Sequence, residues 1–121
     1  MSDYQMGVVE SRFAEIIWSK EPISSAELAR IAQEDLSWKK STTYTVLKRL
    51  CDKGIFKNEG GTVTSVISKD VFYSRRSEKV VNEEFGGSLP SFLAAFTRGK
   101  KLSPDEVEEL CRIVDGFGSG D

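Results

Sequence analysis

The sequence contains no histidine at all. That removes the side chain most used for proton transfer near neutral pH and one of the main zinc ligands. Its two cysteines, Cys51 and Cys111, are far apart and form no Cys-x-x-Cys pair, so neither a zinc site nor a copper-thiolate cluster is expected. Nucleophilic pairs of the Ser/His or Cys/His kind are impossible, and no glycine-rich phosphate loop is present. No catalysis, metal or other cofactor is expected. Long apolar runs are also missing. The longest, Phe92 to Phe96, falls far short of the roughly 20 residues a helix needs to cross a bilayer. No basic stretch leading into a hydrophobic run opens the chain, so no secretory leader is expected. These absences point to a cytoplasmic protein whose two thiols stay reduced and buried on apolar helix faces.

A strong charge excess is lacking too: 17 basic against 19 acidic side chains give a formal net charge of -2. This argues against an indiscriminate polyanion binder, but the charges are unevenly placed. Residues 1–80 carry 13 basic and 11 acidic groups, a balance of +2, and residues 81–121 carry 4 and 8, a balance of -4. Between positions 38 and 57, Lys39, Lys40, Lys48, Arg49, Lys53 and Lys57 face only Asp52, a local +5. Nucleic-acid binding depends on such local fields more than on the total.

What is present is organised around the stretch from Trp38 to Gly54. From Ser41 onward it reads as one helix with two chemically different faces. Val46, Leu47, Leu50 and Cys51 recur at helical spacing and can seat against a core. Ser41, Thr42, Tyr44, Thr45, Lys48 and Arg49 form a face of hydroxyls and cations. Cations there can neutralise phosphates or read guanine, and hydroxyls can bond phosphates or base edges. Gly54 is the expected residue just past the last turn.

Before it, Val9, Phe13, Ile16 and Ile17 mark a first helix, stopped by Glu21-Pro22. The residues Met1 to Gly7 show no pattern. Ser24 to Glu27 has the form of a capping box opening a second helix that buries Leu28, Ile31 and Ala32. Trp38 is expected as a plug between helices. After Gly54 the period changes to alternation: Ile55–Asn58 and Thr62–Ile67 are strand candidates joined through Glu59-Gly60-Gly61, a hairpin that carries Lys57. The order of helix, helix-turn-helix and β-hairpin is that of a winged helix.

The remainder is helical. Ser68-Lys69-Asp70 starts a helix running to about Phe85, and Gly86-Gly87 breaks it. Leu89, Phe92, Leu93 and Phe96 form an apolar stripe on the next segment. Ser103-Pro104-Asp105-Glu106 opens the last helix, whose stripe is Val107, Leu110, Cys111 and Val114, with Gly118 to Asp121 as a loose tail. Short helices cannot hide that much apolar surface alone, so two chains are expected to bury these stripes against each other, the alternative being a monomer whose helices fold back on its own wing. The expected class is mostly α with a small β-hairpin wing (α+β), with a winged-helix DNA-binding domain over 1–69 and a helical dimerisation domain over 70–121.

Laid out this way, the chain resembles the penicillinase-repressor family of bacterial winged-helix regulators, which includes methicillin-resistance and copper-transport repressors. The carriers are Ile16-Ile17-Trp18, Ser25-Ala26-Glu27-Leu28, and Trp38 through Thr42, Thr45, Leu47, Arg49, Leu50 and Lys53-Gly54, together with Leu102 to Leu110. The resemblance implies a homodimeric repressor on a palindromic double-stranded DNA operator, with Ser41, Thr42, Tyr44, Thr45 and Arg49 at the DNA. For β-lactam-responsive members it further implies a membrane-bound sensor protease as partner and a cleavage site that maps near Ala95-Phe96. Alanine precedes that phenylalanine here, where the best-known members have asparagine. Tyr44 replaces a position often basic or glutamine, which implies a different operator sequence. A winged helix serving only as a protein-interaction module is the competing reading, and salt sensitivity separates the two.

Overall fold

The computed structural model describes residues 6–118. Its elements follow the order α1 (Val8–Lys20), β1 (Ile23–Ser24), α2 (Ser25–Leu36), α3 (Lys40–Asp52), β2 (Phe56–Glu59), β3 (Thr62–Ser65), α4 (Lys69–Glu84), α5 (Leu89–Arg98) and α6 (Pro104–Gly118). This is the α+β winged helix expected, followed by a helical segment. The chain divides into two compact units, one through Lys79 and one from Val80, with the boundary inside α4.

In the first unit, α1 buries Phe13, Ala14 and Ile17. Val9, expected on that face, is exposed in the first turn of α1, and Met6, ahead of the helix, belongs to the core. Met6 therefore does not belong to a patternless leader; residues 1–5 of that stretch lie outside the described residues. Helix α2 buries Leu28, Ala29, Ile31 and Ala32, and α3 buries Thr43, Val46, Leu47 and Leu50. Each large apolar side chain so buried contributes about 1.5–3 kcal/mol relative to an exposed one. The two helices thus fix each other's angle through several such residues.

The expected capping box at α2 is half present. Ser24 Oγ accepts the Glu27 N–H at 3.1 Å, but the Glu27 carboxylate does not reach back. It takes the guanidinium of Arg30, one turn on, at 3.0 Å from Nε, and that contact, the largest cause, holds the Glu27 carboxyl below its ordinary pKa. A charged fork is a stronger partner than a neutral backbone donor, which explains the exchange. At α6 the box is complete: Glu106 N–H donates to Ser103 Oγ at 3.1 Å and Ser103 N–H donates to Glu106 Oε1 at 3.0 Å.

The sheet has the order β1-β3-β2, antiparallel throughout. The hairpin closes at the Glu59–Thr62 pair, leaving Gly60 and Gly61 as a two-residue turn with φ of 63° and 88°. Positive φ at both positions is the hairpin turn that glycine favours, because a β-carbon would be strained there. Strand β1 is only two residues long and pairs with β3 through Ile23–Val63 and Ser24–Thr62. No alternation is visible over two residues, so the sequence reading lacks it.

Two aromatic groups close the unit. Trp38 stacks at a tilt on Phe13, centroids 5.0 Å apart, and so occupies the plug position expected of it. Trp18 lies within 5.2 Å of Phe56 and 5.4 Å of Phe72, ring centre to ring centre, and its Nε1–H donates to the Ile67 carbonyl at 3.2 Å. Glu21 at the end of α1 accepts the Ser65 N–H at 2.7 Å and its hydroxyl at 2.9 Å. The end of α1 therefore anchors both the base of the wing and the first turns of α4.

In the second unit, Ser88 caps α5 by accepting the Ser91 N–H at 3.1 Å. Gly86 and Gly87, both at positive φ, end α4 as expected. Helix α6 continues to Gly118, so the tail begins later than expected, and residues 119–121 lie outside the described residues.

Candidate nucleic-acid interface

Helix α3 starts at Lys40, with Lys39 as its N-terminal cap residue in extended geometry. Its buried side is held by Val46, Leu47 and Leu50, with Cys51 half-buried beside them. Burial, and then Asp52, pushes the Cys51 thiol above its ordinary range. Thr43, omitted from the sequence reading of either face, is fully buried; its hydroxyl reaches the Lys39 carbonyl at 3.4 Å. The polar face is then decided by elimination. Ser41, Thr42, Thr45, Lys48 and Arg49 are exposed and Tyr44 is half-exposed. Spacing of three to four residues puts them on one side of the helix.

Several of these groups already have local partners. Thr45 Oγ1 donates to the Ser41 carbonyl at 2.9 Å, which leaves its lone pairs available as acceptors. Lys40 Nζ lies over the Tyr44 ring, 5.9 Å from its centre. Lys48 pairs with Asp52 at 3.3 Å, and Lys57 on β2 pairs with Glu59 at 3.0 Å. Arg49 Nη1 lies 3.3 Å from Glu10 Oε2, a contact between α3 and α1 that no sequence pattern marks. The exposed Lys48–Asp52 and Lys57–Glu59 pairs contribute only about 0–1 kcal/mol each, so a phosphate or base edge can displace them at little cost. The surface that results has polar donors and cations on a rigid, well-buried helix. It can neutralise phosphates and form directional bonds to base edges.

The apolar side chains of the second unit fall into two sets. Phe92, Leu93 and Leu110 are half-buried and, with Phe96, Leu102 and Ile113, line a groove of about 320 Å³ between α5 and α6. Phe85 and Phe92 meet edge to face at 5.3 Å. Leu89, Phe96, Val107 and Val114 are exposed large hydrophobics, and Cys111 is exposed as well. The expectation of a buried Cys111 thiol is therefore corrected for the single chain: Cys111 lies exposed beside Val107 and Val114, and of the α6 stripe only Leu110 is half-buried. Ile113, which the sequence reading left out, is 59% exposed, and Phe117 is 88% exposed. Ile113 could have been found, since it lies three residues after Leu110. Ala95 and Phe96 sit inside α5, both exposed.

Among the described residues, no group of His, Cys, Asp and Glu could hold a metal ion, and no helix is long and apolar enough to cross a membrane.

Residues 6–116 match the family described as "Penicillinase repressor". The methicillin resistance regulatory protein MecI of Staphylococcus aureus is 27% identical over 116 residues, covering 93% of this chain and 94% of that protein. The penicillinase repressor of Bacillus licheniformis is 26% identical over 115 residues, covering 92% and 90%. That of Staphylococcus aureus is 25% identical over 115 residues, covering 92% and 91%.

Proposed function

The chain belongs to the penicillinase repressor family and is a transcriptional regulator, and on that premise we propose that it is a homodimeric repressor whose α3 face enters the major groove of a palindromic operator. The observation that carries this is the exposed row Thr42, Thr45 and Arg49, with Ser41, Tyr44 and Lys48 beside it, on a helix whose other side is buried. Lys39 and Lys40 at the start of α3 and Lys57 on the wing supply phosphate contacts. The winged helix is the DNA-binding part and the segment from α4 onward the dimerising part. Two chains cover the exposed stripes of α5 and α6, and the half-site spacing follows from that union. The names of the relatives make β-lactam resistance genes the first candidates for its targets.

Arg49→Ala and Thr45→Ala are each expected to weaken operator binding by about 1–3 kcal/mol if they read bases, with far less change on scrambled duplex. Anisotropy titrations of both variants provide the check. Unchanged operator affinity in both would remove this face from recognition.

Release of the DNA is the second part of the proposal. A membrane-bound sensor protease triggers cleavage near Ala95 and Phe96, detaching α6 from the rest of the chain. Fragment masses from cells challenged with a β-lactam should then meet at that turn of α5. A chain that stays intact under full induction would rule this route out.

A further inference from the structure

One polar contact of α3 differs in kind from the others. Lys48 and Lys57 pair with acids on their own elements, whereas Arg49 is joined to a different helix, by Nη1 to Glu10 Oε2 at 3.3 Å. The other oxygen of that carboxylate is also engaged: Glu10 Oε1 accepts the Gly7 N–H at 3.3 Å, at the start of α1. Glu10 is thus held at both oxygens, and its side chain is only 21% exposed against 53% for Arg49. A long, flexible arginine touches a short, fixed carboxylate at the rim of the face proposed to meet DNA. A guanidinium has five N–H donors, so one bond to Glu10 leaves most of the fork available.

We propose that Glu10 is a positioning residue for DNA recognition: it holds the Arg49 guanidinium in the orientation that reads a base, and thereby sets operator discrimination. Ordering a free arginine at the moment of binding costs rotamer entropy, and a fork tethered at one nitrogen has lost part of that freedom beforehand. The tether also narrows the directions in which the remaining donors point, which favours a planar, bidentate partner such as a guanine edge over a phosphate approached from any side. The carboxylate has an opposite effect on binding without discrimination, since its negative charge repels phosphates. Glu10 therefore lowers affinity for arbitrary DNA while raising the preference for the operator.

This inference rests on the repressor reading, and the test separates the two. The probes are a duplex from upstream of the chain's own gene and a scrambled duplex of equal length, titrated by anisotropy at fixed salt. Glu10→Gln keeps an oxygen for the Gly7 N–H and removes the charge. It is expected to bind scrambled duplex more tightly, and its operator-over-scrambled ratio is expected to fall about tenfold. Glu10→Asp keeps the charge but shortens the reach; its affinity for scrambled duplex should stay unchanged while the ratio still falls. In an Arg49→Ala background neither change should lower the ratio further, because there is no fork left to orient. Glu10→Gln tightening both duplexes equally would overturn the proposal, leaving Glu10 as a charge that merely repels DNA. An undiminished effect in the Arg49→Ala background would overturn it as well. A wild-type protein with no operator preference would overturn the repressor reading itself.

Discussion

Replacing Val114 with aspartate is expected to convert the proposed dimer into monomers while each chain stays folded. Val114 is 55% exposed in the single chain, so a charge there changes the stability of the monomer by no more than about 0.5 kcal/mol. In a dimer sealed by α6 the same carboxylate is buried in both protomers without a partner. At about 3 kcal/mol or more for each, the two together raise the dimer dissociation constant on the order of ten-thousand-fold. Sedimentation velocity reads the change directly. Cys111, exposed on the same helix, gives a second readout: slow to alkylate in the wild-type dimer, fast in the variant. Operator affinity should drop with assembly, because each half-site is then held alone. Leu110, also on the stripe, is a poorer probe, since it already packs into its own chain's groove and its loss would disturb that packing. A Val114→Asp protein that sediments as a dimer, with Cys111 still protected, would put the seam elsewhere.

Phe13→Ala is expected to cost the winged helix about 3–5 kcal/mol, the range for removing a fully buried aromatic ring. Phe13 has no accessible surface and carries Trp38 against it at 5.0 Å. A unit this small has a stability toward the lower end of the 5–15 kcal/mol usual for domains, so the loss is about half or more of the total. Both tryptophans, Trp18 and Trp38, lie in this unit, and their fluorescence in urea therefore follows its unfolding without interference from the C-terminal helices. The midpoint should fall sharply. A loss below about 1 kcal/mol would mean that the core is not built around α1 as described.

The parts of this structure legible in the sequence are those set by short-range rules. The periodicity of α3, the Ser24 and Ser103 caps, the two-glycine wing turn and the breaks at Gly86-Gly87 each depend on residues within a few positions of one another. All appear in the structure with the expected partners, except the Glu27 carboxylate, which Arg30 captured. What was not legible depends on chain segments meeting from far apart. Strand β1 exists only because β3 lies beside it, and Met6 is buried only because the core has room at that edge. The Glu10–Arg49 contact joins residues 39 positions apart, and neither residue's neighbours announce it. For the candidate DNA face, the sequence was sufficient to name the exposed side chains of α3 but not their local partners. Thr43 was assigned to neither face, although its spacing from Val46, Leu47 and Leu50 puts it on the buried one.

Anisotropy of the wild-type protein on the duplex from upstream of its own gene, titrated with salt beside a scrambled duplex, asks whether α3 recognises a specific operator as part of a dimer. The expected result is saturation at one dimer per palindrome, a clear preference over the scrambled duplex, and affinity that falls steeply as salt rises, because lysine and arginine release counterions from the phosphates they neutralise. Equal binding to both duplexes, or binding to neither while a protein partner is retained at high salt, would contradict it and leave the winged helix as a protein-interaction module.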